Sequence, residues 1–121
     1  MRSKGNAPTA AQRRWQQTVA DLGCIVTRAD PSQCQLHHVG GFTYKHNKVL
    51  IGPWFILPLH ASLHDVGSDH PHNVTHYRSA FTSNYGSQAS LFFKVVYAAL
   101  HQGAPIPFEM DVLNTIQECS F

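Results

Sequence analysis

The chain has 121 residues, a length that suits one domain with one modest hydrophobic core. A hydrophobic content of 43% excludes a disordered polymer, and three scattered cysteines exclude a disulfide framework. The net charge of +2 is too small to define a partner, and no apolar run approaches a membrane span.

The N-terminal stretch has charge but no apolar h-region, so no signal peptide is expected and the expected compartment is the cytoplasm. Arg2, Lys4, Arg13 and Arg14 carry positive charge without an intervening acid, so a basic arm over about 1–8 and the first helix could meet phosphates. "PTAAQRRWQQTVADLGC" predicts a helix over roughly 8–22: Pro8 suits a first turn, Trp15, Val19 and Leu22 share a face, and Gly23 suits the stop. "RADPSQ" is a turn. "CQLHHV" predicts a short strand ending at Gly40-Gly41, "FTYKHNK" an irregular loop, and "WFIL" the partner strand. "PLHASLHD" is expected to open a helix, with Pro58 tolerated in its first turn. A further helix is expected over 71–86, ended by Gly86. The clearest helix follows, capped by Ser87 and stopped by Gly103, with Leu91, Val95, Ala98 and Ala99 on its apolar face. "FEMDVLNTIQECSF" predicts a last short helix. Trp15, Trp54, Phe92 and Phe93 are expected in the core. The pattern describes a single α+β domain over 1–121, with no internal repeat or linker.

Histidine is the outlier. There are nine, and eight lie between His37 and His76. Histidine is the commonest metal ligand and titrates nearest neutral pH. His60 and His64, four residues apart, would share one helix face and could share one ion. Ala61 stands where a zinc protease of the H-E-x-x-H type has its glutamate base, which excludes that chemistry. A strand–loop–strand–helix order can bring His37, His60 and His64 together and leave His38 for proton work. His46, His70, His72 and His76 are read as solvent-facing, and His101 as favourable with a helix dipole. Cys24 and Cys34 are read as ordinary thiols, because Thr27 occupies the position that would complete a C-x-x-C pair.

The doublet "LHHV" followed by "LPLHASLH" resembles the HNH nucleases, also called the ββα-metal or His-Me finger family; the H-x-x-x-H form is that of the nuclease colicins. The stretches "PTAAQRRWQQTVADLGCIV", "LHHVGG", "LPLHASLHDVG" and "HYRSAFTSNYG" extend the resemblance over roughly 8–102 to phage and prophage HNH proteins. It implies a ββα-metal hairpin-and-helix core at about 34–70 surrounded by additional α-helices. It also implies a metal-dependent DNA endonuclease, DNA as substrate, and a RecA-like recombinase filament as partner. His38 matches the general base, and His37, His60 and His64 match ligands of one divalent ion: zinc, magnesium, manganese or nickel. Spacing alone permits the reverse roles for His37 and His38; the resemblance implies this order. Lys45, Lys48 and Arg78 are the nearest candidates to hold a neighbouring phosphate, beside Arg13 and Arg14. The chain departs from the family in two places. No asparagine precedes "ILPL", where "GPWF" stands, and Asn47 is the candidate for loop positioning instead. The cysteine pair of a structural zinc is incomplete. Two alternatives therefore accompany the endonuclease: a non-cutting zinc-containing module that binds DNA or protein, and a phage inhibitor of a host enzyme.

Overall fold

The structure, a computed structural model, describes residues 7–121, so most of the expected basic arm, including Arg2 and Lys4, lies outside the described residues. The fold is α+β. Helix α1 (Ala10–Ala20) precedes strand β1 (Cys34–His38), the two-residue strands β2 (Lys45–His46) and β3 (Val49–Leu50), and strand β4 (Ile56–His60). Helices α2 (Arg78–Tyr85), α3 (Gln88–His101) and α4 (Met110–Glu118) follow. Among the described residues no helix is long and apolar enough to cross a membrane.

α1 begins at a capping box: the Thr9 hydroxyl accepts from the N–H of Gln12, and the Gln12 side chain accepts from the N–H of Thr9. The turn that follows it runs through Gly23, whose φ of 76° an L side chain rarely adopts. Trp15 and Val19 of α1 are buried, and Trp15 donates its indole N–H to the carbonyl of Trp54 at 2.9 Å. α3 is capped by the Ser87 hydroxyl, as its sequence predicts.

β1 and β4 pair antiparallel, with Cys34 opposite His60 and His38 opposite Ile56. The run "ILPL" has no polar alternation because β4 is covered on both faces: Ile56, Leu57 and Leu59 are fully buried. Burial of each such side chain stabilises the fold by about 1.5–3 kcal/mol. Pro58 fits the strand and accepts through its carbonyl from the N–H of Ile25 at 3.0 Å. Trp15, Phe55, Phe92 and Phe108 join α1, α3 and the segment before α4 through edge-on ring contacts, such as Trp15 with Phe108 at 5.2 Å. The expected loop "FTYKHNK" contains a small hairpin: Lys45 pairs with Leu50 and His46 with Val49 around Asn47 and Lys48, both at positive φ.

Two expected helices are shorter or absent. After His60 the chain makes only a single 3₁₀ turn, Ala61–Leu63, so His60 and His64 do not share an α-helical face. The carbonyl of Ser62, which a continuing α-helix would offer to the N–H of Val66, accepts instead from the Ser68 hydroxyl at 2.7 Å and the Asn73 amide at 3.0 Å. The helix expected over 71–86 starts only at Arg78, because Asn73 holds residues 73–77 in a turn.

Gly52 lies where added bulk has nowhere to go: a Cβ there would run into the carbonyl oxygens of Gly41 and Phe42. Gly52→Ala is expected to destabilise the fold by about 1–3 kcal/mol, read as a lowered urea midpoint with unchanged slope.

Candidate metal and proton-transfer site

Strand alternation places Gln35 and His37 on one face of β1 and Cys34, Leu36 and His38 on the other. His37 lies opposite Leu57, three pairs from His60, which faces Cys34. The irregular segment after β4 then carries His64 back over β1, so that the rings of His37 and His64 lie 5.0 Å apart.

Each of these two rings is held by a glutamine oxygen. Nε2–H of His37 donates to Oε1 of Gln88 at 2.8 Å, and Nδ1–H of His64 donates to Oε1 of Gln35 at 2.7 Å. A neutral imidazole carries one proton, so Nδ1 of His37 and Nε2 of His64 are left as bare lone pairs. This is how a partner behind a metal-ligating histidine sets its tautomer. Gln88 is itself firmly placed. It is 1% exposed, lies in the first turn of α3, and donates its own N–H to the carbonyl of Phe121 at 2.7 Å.

His38 closes β1 beside the Gly40-Gly41 turn, where φ is 77° and 95°. Its ring packs edge-on to Phe42 at 5.7 Å, and its Nε2 is buried without a hydrogen-bond partner. An orphaned N–H is costlier than an orphaned lone pair, which favours the proton on Nδ1 and a bare Nε2. Burial pushes His38 below the usual histidine range, and the nearby His64 adds to this. Burial also pushes His37 down to about 4, Gln88 opposes this, and His64 and His38 contribute further lowering. His64 is lowered by burial, with Asp65 opposing. All three rings are therefore neutral at pH 7, the form that ligates a metal or accepts a proton.

His60 has a different occupation. Its Nδ1 accepts from the N–H of Ser62 at 3.1 Å and lies 2.9 Å from the Ser62 hydroxyl, so the ring caps the 3₁₀ turn. In the neutral ring the proton is then on Nε2. Among the described residues no three His, Cys, Asp or Glu side chains are grouped closely enough to hold one ion. The structure brings His37 and His64 together and does not add His60 to them. The donor set of two neutral imidazoles with lone pairs free still fits a divalent ion with several open positions.

The expected phosphate contacts separate into two groups. Lys45 and Lys48 are exposed on the β2–β3 hairpin, with Asn47 between them in the turn, and Arg14 is exposed on α1. Arg13 donates to the carbonyl of Pro8 at 2.8 Å, and Arg78 lies over the Phe121 ring at 4.2 Å and donates to the carbonyl of Ser120. Asn73 holds the loop between β4 and α2, whereas Asn47 lies in the β2–β3 turn at positive φ. Asn73 is fully buried and its amide is satisfied on both sides, donating to the carbonyls of Ser62 and Asp65 and accepting from the N–H groups of Thr75 and His76. His76 donates to the carbonyl of Val66 at 2.7 Å, and the Thr75 hydroxyl to that of His64, completing the tether. Gln35, Gln88 and Asn73 are the polar residues that sequence reasoning passed over; their spacing to the histidines, 51 residues for His37–Gln88, carries no local signal. All three cysteines are free, and the N–H of Thr27 donates to Sγ of Cys24 at 3.3 Å.

No protein-family model, curated protein or solved structure matches this chain.

Two predictions test the geometry. The unfolded chain protonates His37 near 6.5 and the folded chain near 4, so between these values the unfolded state binds more protons and stability falls as pH falls. His37 alone should cost about 3 kcal/mol by pH 4, seen in urea midpoints across pH 7 to 4, and His37→Gln should flatten that slope. Asn73→Ala removes four hydrogen bonds that hold the loop, to partners that water can partly reach; a loss of about 1–3 kcal/mol is expected in the same measurement.

Proposed function

We propose that the protein is a metal-dependent DNA endonuclease with a ββα-metal type of site, in which His37 and His64 hold one divalent ion and His38 is the general base. The observation that carries this reading is the His37–His64 pair, each ring held by a glutamine so that one lone pair stays free, with the neutral His38 following His37 at the end of β1. A divalent ion held there would polarise a scissile phosphate and neutralise charge on the departing oxygen. His38 takes the proton of the attacking water, and burial keeps it free of a proton at pH 7. Gln88 and Gln35 keep the ligand rings in one tautomer. Lys45, Lys48 and Arg14 supply exposed positive charge for the DNA backbone. Zinc, magnesium, manganese and nickel are all compatible with this donor set at low affinity. Action on DNA in a bacterial cytoplasm, for a phage or prophage and alongside a RecA-like filament, is part of the same reading.

One observation favours a second reading, a non-cutting module that binds DNA or protein: only two of the three expected ligand side chains converge, because His60 caps a turn. Plasmid cleavage with each metal separates the two. Cleavage is expected with at least one metal, abolished by chelator and reduced about 10²–10⁴-fold by His38→Ala. Gln88→Leu is expected to weaken metal activation about 10–100-fold. Cleavage that proceeds undiminished in His38→Ala would sink the mechanism, and metal-dependent stabilisation without any cleavage would establish the binding module.

A further inference from the structure

A second concave site lies apart from the His37–His64 pair. The turn after α1 and the outer half of α3 enclose a pocket of about 440 Å³ lined by Leu22, Gly23, Cys24, Ile25, Arg28, Lys94, Ala98 and Gln102. At 1.5 Å per residue, Lys94 stands roughly 9 Å along α3 from Gln88, so the pocket does not share the histidine site. It holds two cationic side chains and no carboxylate. Among the described residues neither Arg28 nor Lys94 makes a side-chain hydrogen bond or ion pair. The nearest acids in sequence are engaged elsewhere: Asp21 accepts from Gln17 at 2.8 Å, and Asp30 accepts from Ser32.

Arg28 also sits in an unusual backbone conformation. Its φ is 63°, the left-handed region that arginine seldom occupies. The conformation is held by the N–H of Arg28 donating to the carbonyl of Cys24 and the N–H of Cys24 donating to the carbonyl of Ala29, both at 3.0 Å. Glycine or asparagine would meet this backbone at lower cost. The other non-glycine residues at positive φ, Asn47 and Lys48, have the simpler explanation of a two-residue hairpin turn.

The C-terminal ends of α1 and α3 approach the same pocket and carry partial negative charge. Their carbonyls are largely paired: those of Val19 and Ala20 with Leu22 and Gly23, and those of Ala98, Ala99 and Leu100 with residues 102–104. Two full positive charges outweigh two such half-charges, which leaves the pocket electropositive. Leu22, Ile25 and Ala98 give it an apolar wall.

We propose that this pocket binds a phosphate monoester that carries an apolar or aromatic body, with Arg28 and Lys94 on the phosphate and Leu22, Ile25 and Ala98 against the body. The volume suits a single nucleotide. That chemistry is offered by a free mononucleotide or by a 5′-phosphorylated DNA end. The inference does not depend on the histidine site cutting DNA.

The test is calorimetric titration of the full chain with deoxyadenosine 5′-monophosphate, deoxyadenosine, and a short single strand with or without a 5′-phosphate, together with amide shifts of Gly23, Arg28 and Lys94. The mononucleotide is expected to bind at least tenfold more tightly than the nucleoside and to shift those three amides. Lys94→Gln and Arg28→Gly are each expected to weaken it about tenfold; the glycine variant removes the charge while relaxing the backbone, and Lys94 is on an exposed helix surface, so both should fold. His37→Ala is expected to leave this binding unchanged. A preference for the phosphorylated strand over the mononucleotide assigns the pocket to DNA ends, and the reverse assigns it to free nucleotide. Equal binding of nucleotide and nucleoside, shifts confined to the histidine site, or affinity unaltered in both charge variants would overturn the proposal.

Discussion

The antiparallel pairing of Cys34–His38 with Ile56–His60 is the constraint from which the rest of the molecule follows. β4 is sealed on both faces by α1, α3 and the aromatic cluster, so a one-residue slip would move the whole buried set and is strongly opposed. With the register set, His37 has to stand opposite Leu57 and His60 opposite Cys34, on alternating faces. The ladder thereby keeps His60 off the face that carries His37, although helical spacing would group His60 with His64. It also ends β1 at His38, where two glycines at positive φ turn the chain away.

Around that ladder three carboxamide side chains organise the polar site. Gln35 lies within β1, Gln88 at the start of α3, and Asn73 in the loop between β4 and α2. Asn73 ties residues 62–76 into a compact loop, and that loop delivers His64 over His37. Gln88 and Gln35 then hold the two rings, each through one oxygen. Amides suit these positions because they accept without carrying charge. A carboxylate behind each ring would raise the histidine pKa, whereas a neutral oxygen in a buried setting leaves the rings unprotonated at pH 7.

Local features are readable where the physics is local. α1 and α3 are legible from apolar spacing, the Ser87 cap and the glycine stops, since each depends on residues within a turn of one another. β1 and β4 are legible as short apolar runs, although β4 begins two residues later than "WFIL" suggests. The helix expected at "PLHASLH" does not form because Ser68 and Asn73 compete for the carbonyl of Ser62, and that competition needs the loop to fold back. The histidine cluster is visible as composition. Its members are not, because His60 and His64 satisfy i, i+4 spacing whether or not a helix forms between them.

The sequence by itself determined an α+β chain with two strongly patterned helices, a histidine doublet at a strand end, and a concentration of imidazole between residues 37 and 76. These depend on periodicity, capping and composition, all of which act within a few residues. Tertiary structure alone decided that His64 rather than His60 meets His37, that Asn73 holds the loop after β4, and that Gln88 from a distant helix orients the His37 ring. It also decided that Arg28 and Lys94, far apart in the chain, line one pocket. Side-chain hydrogen bonds between remote segments form only after the core has brought those segments together, so no local pattern records them.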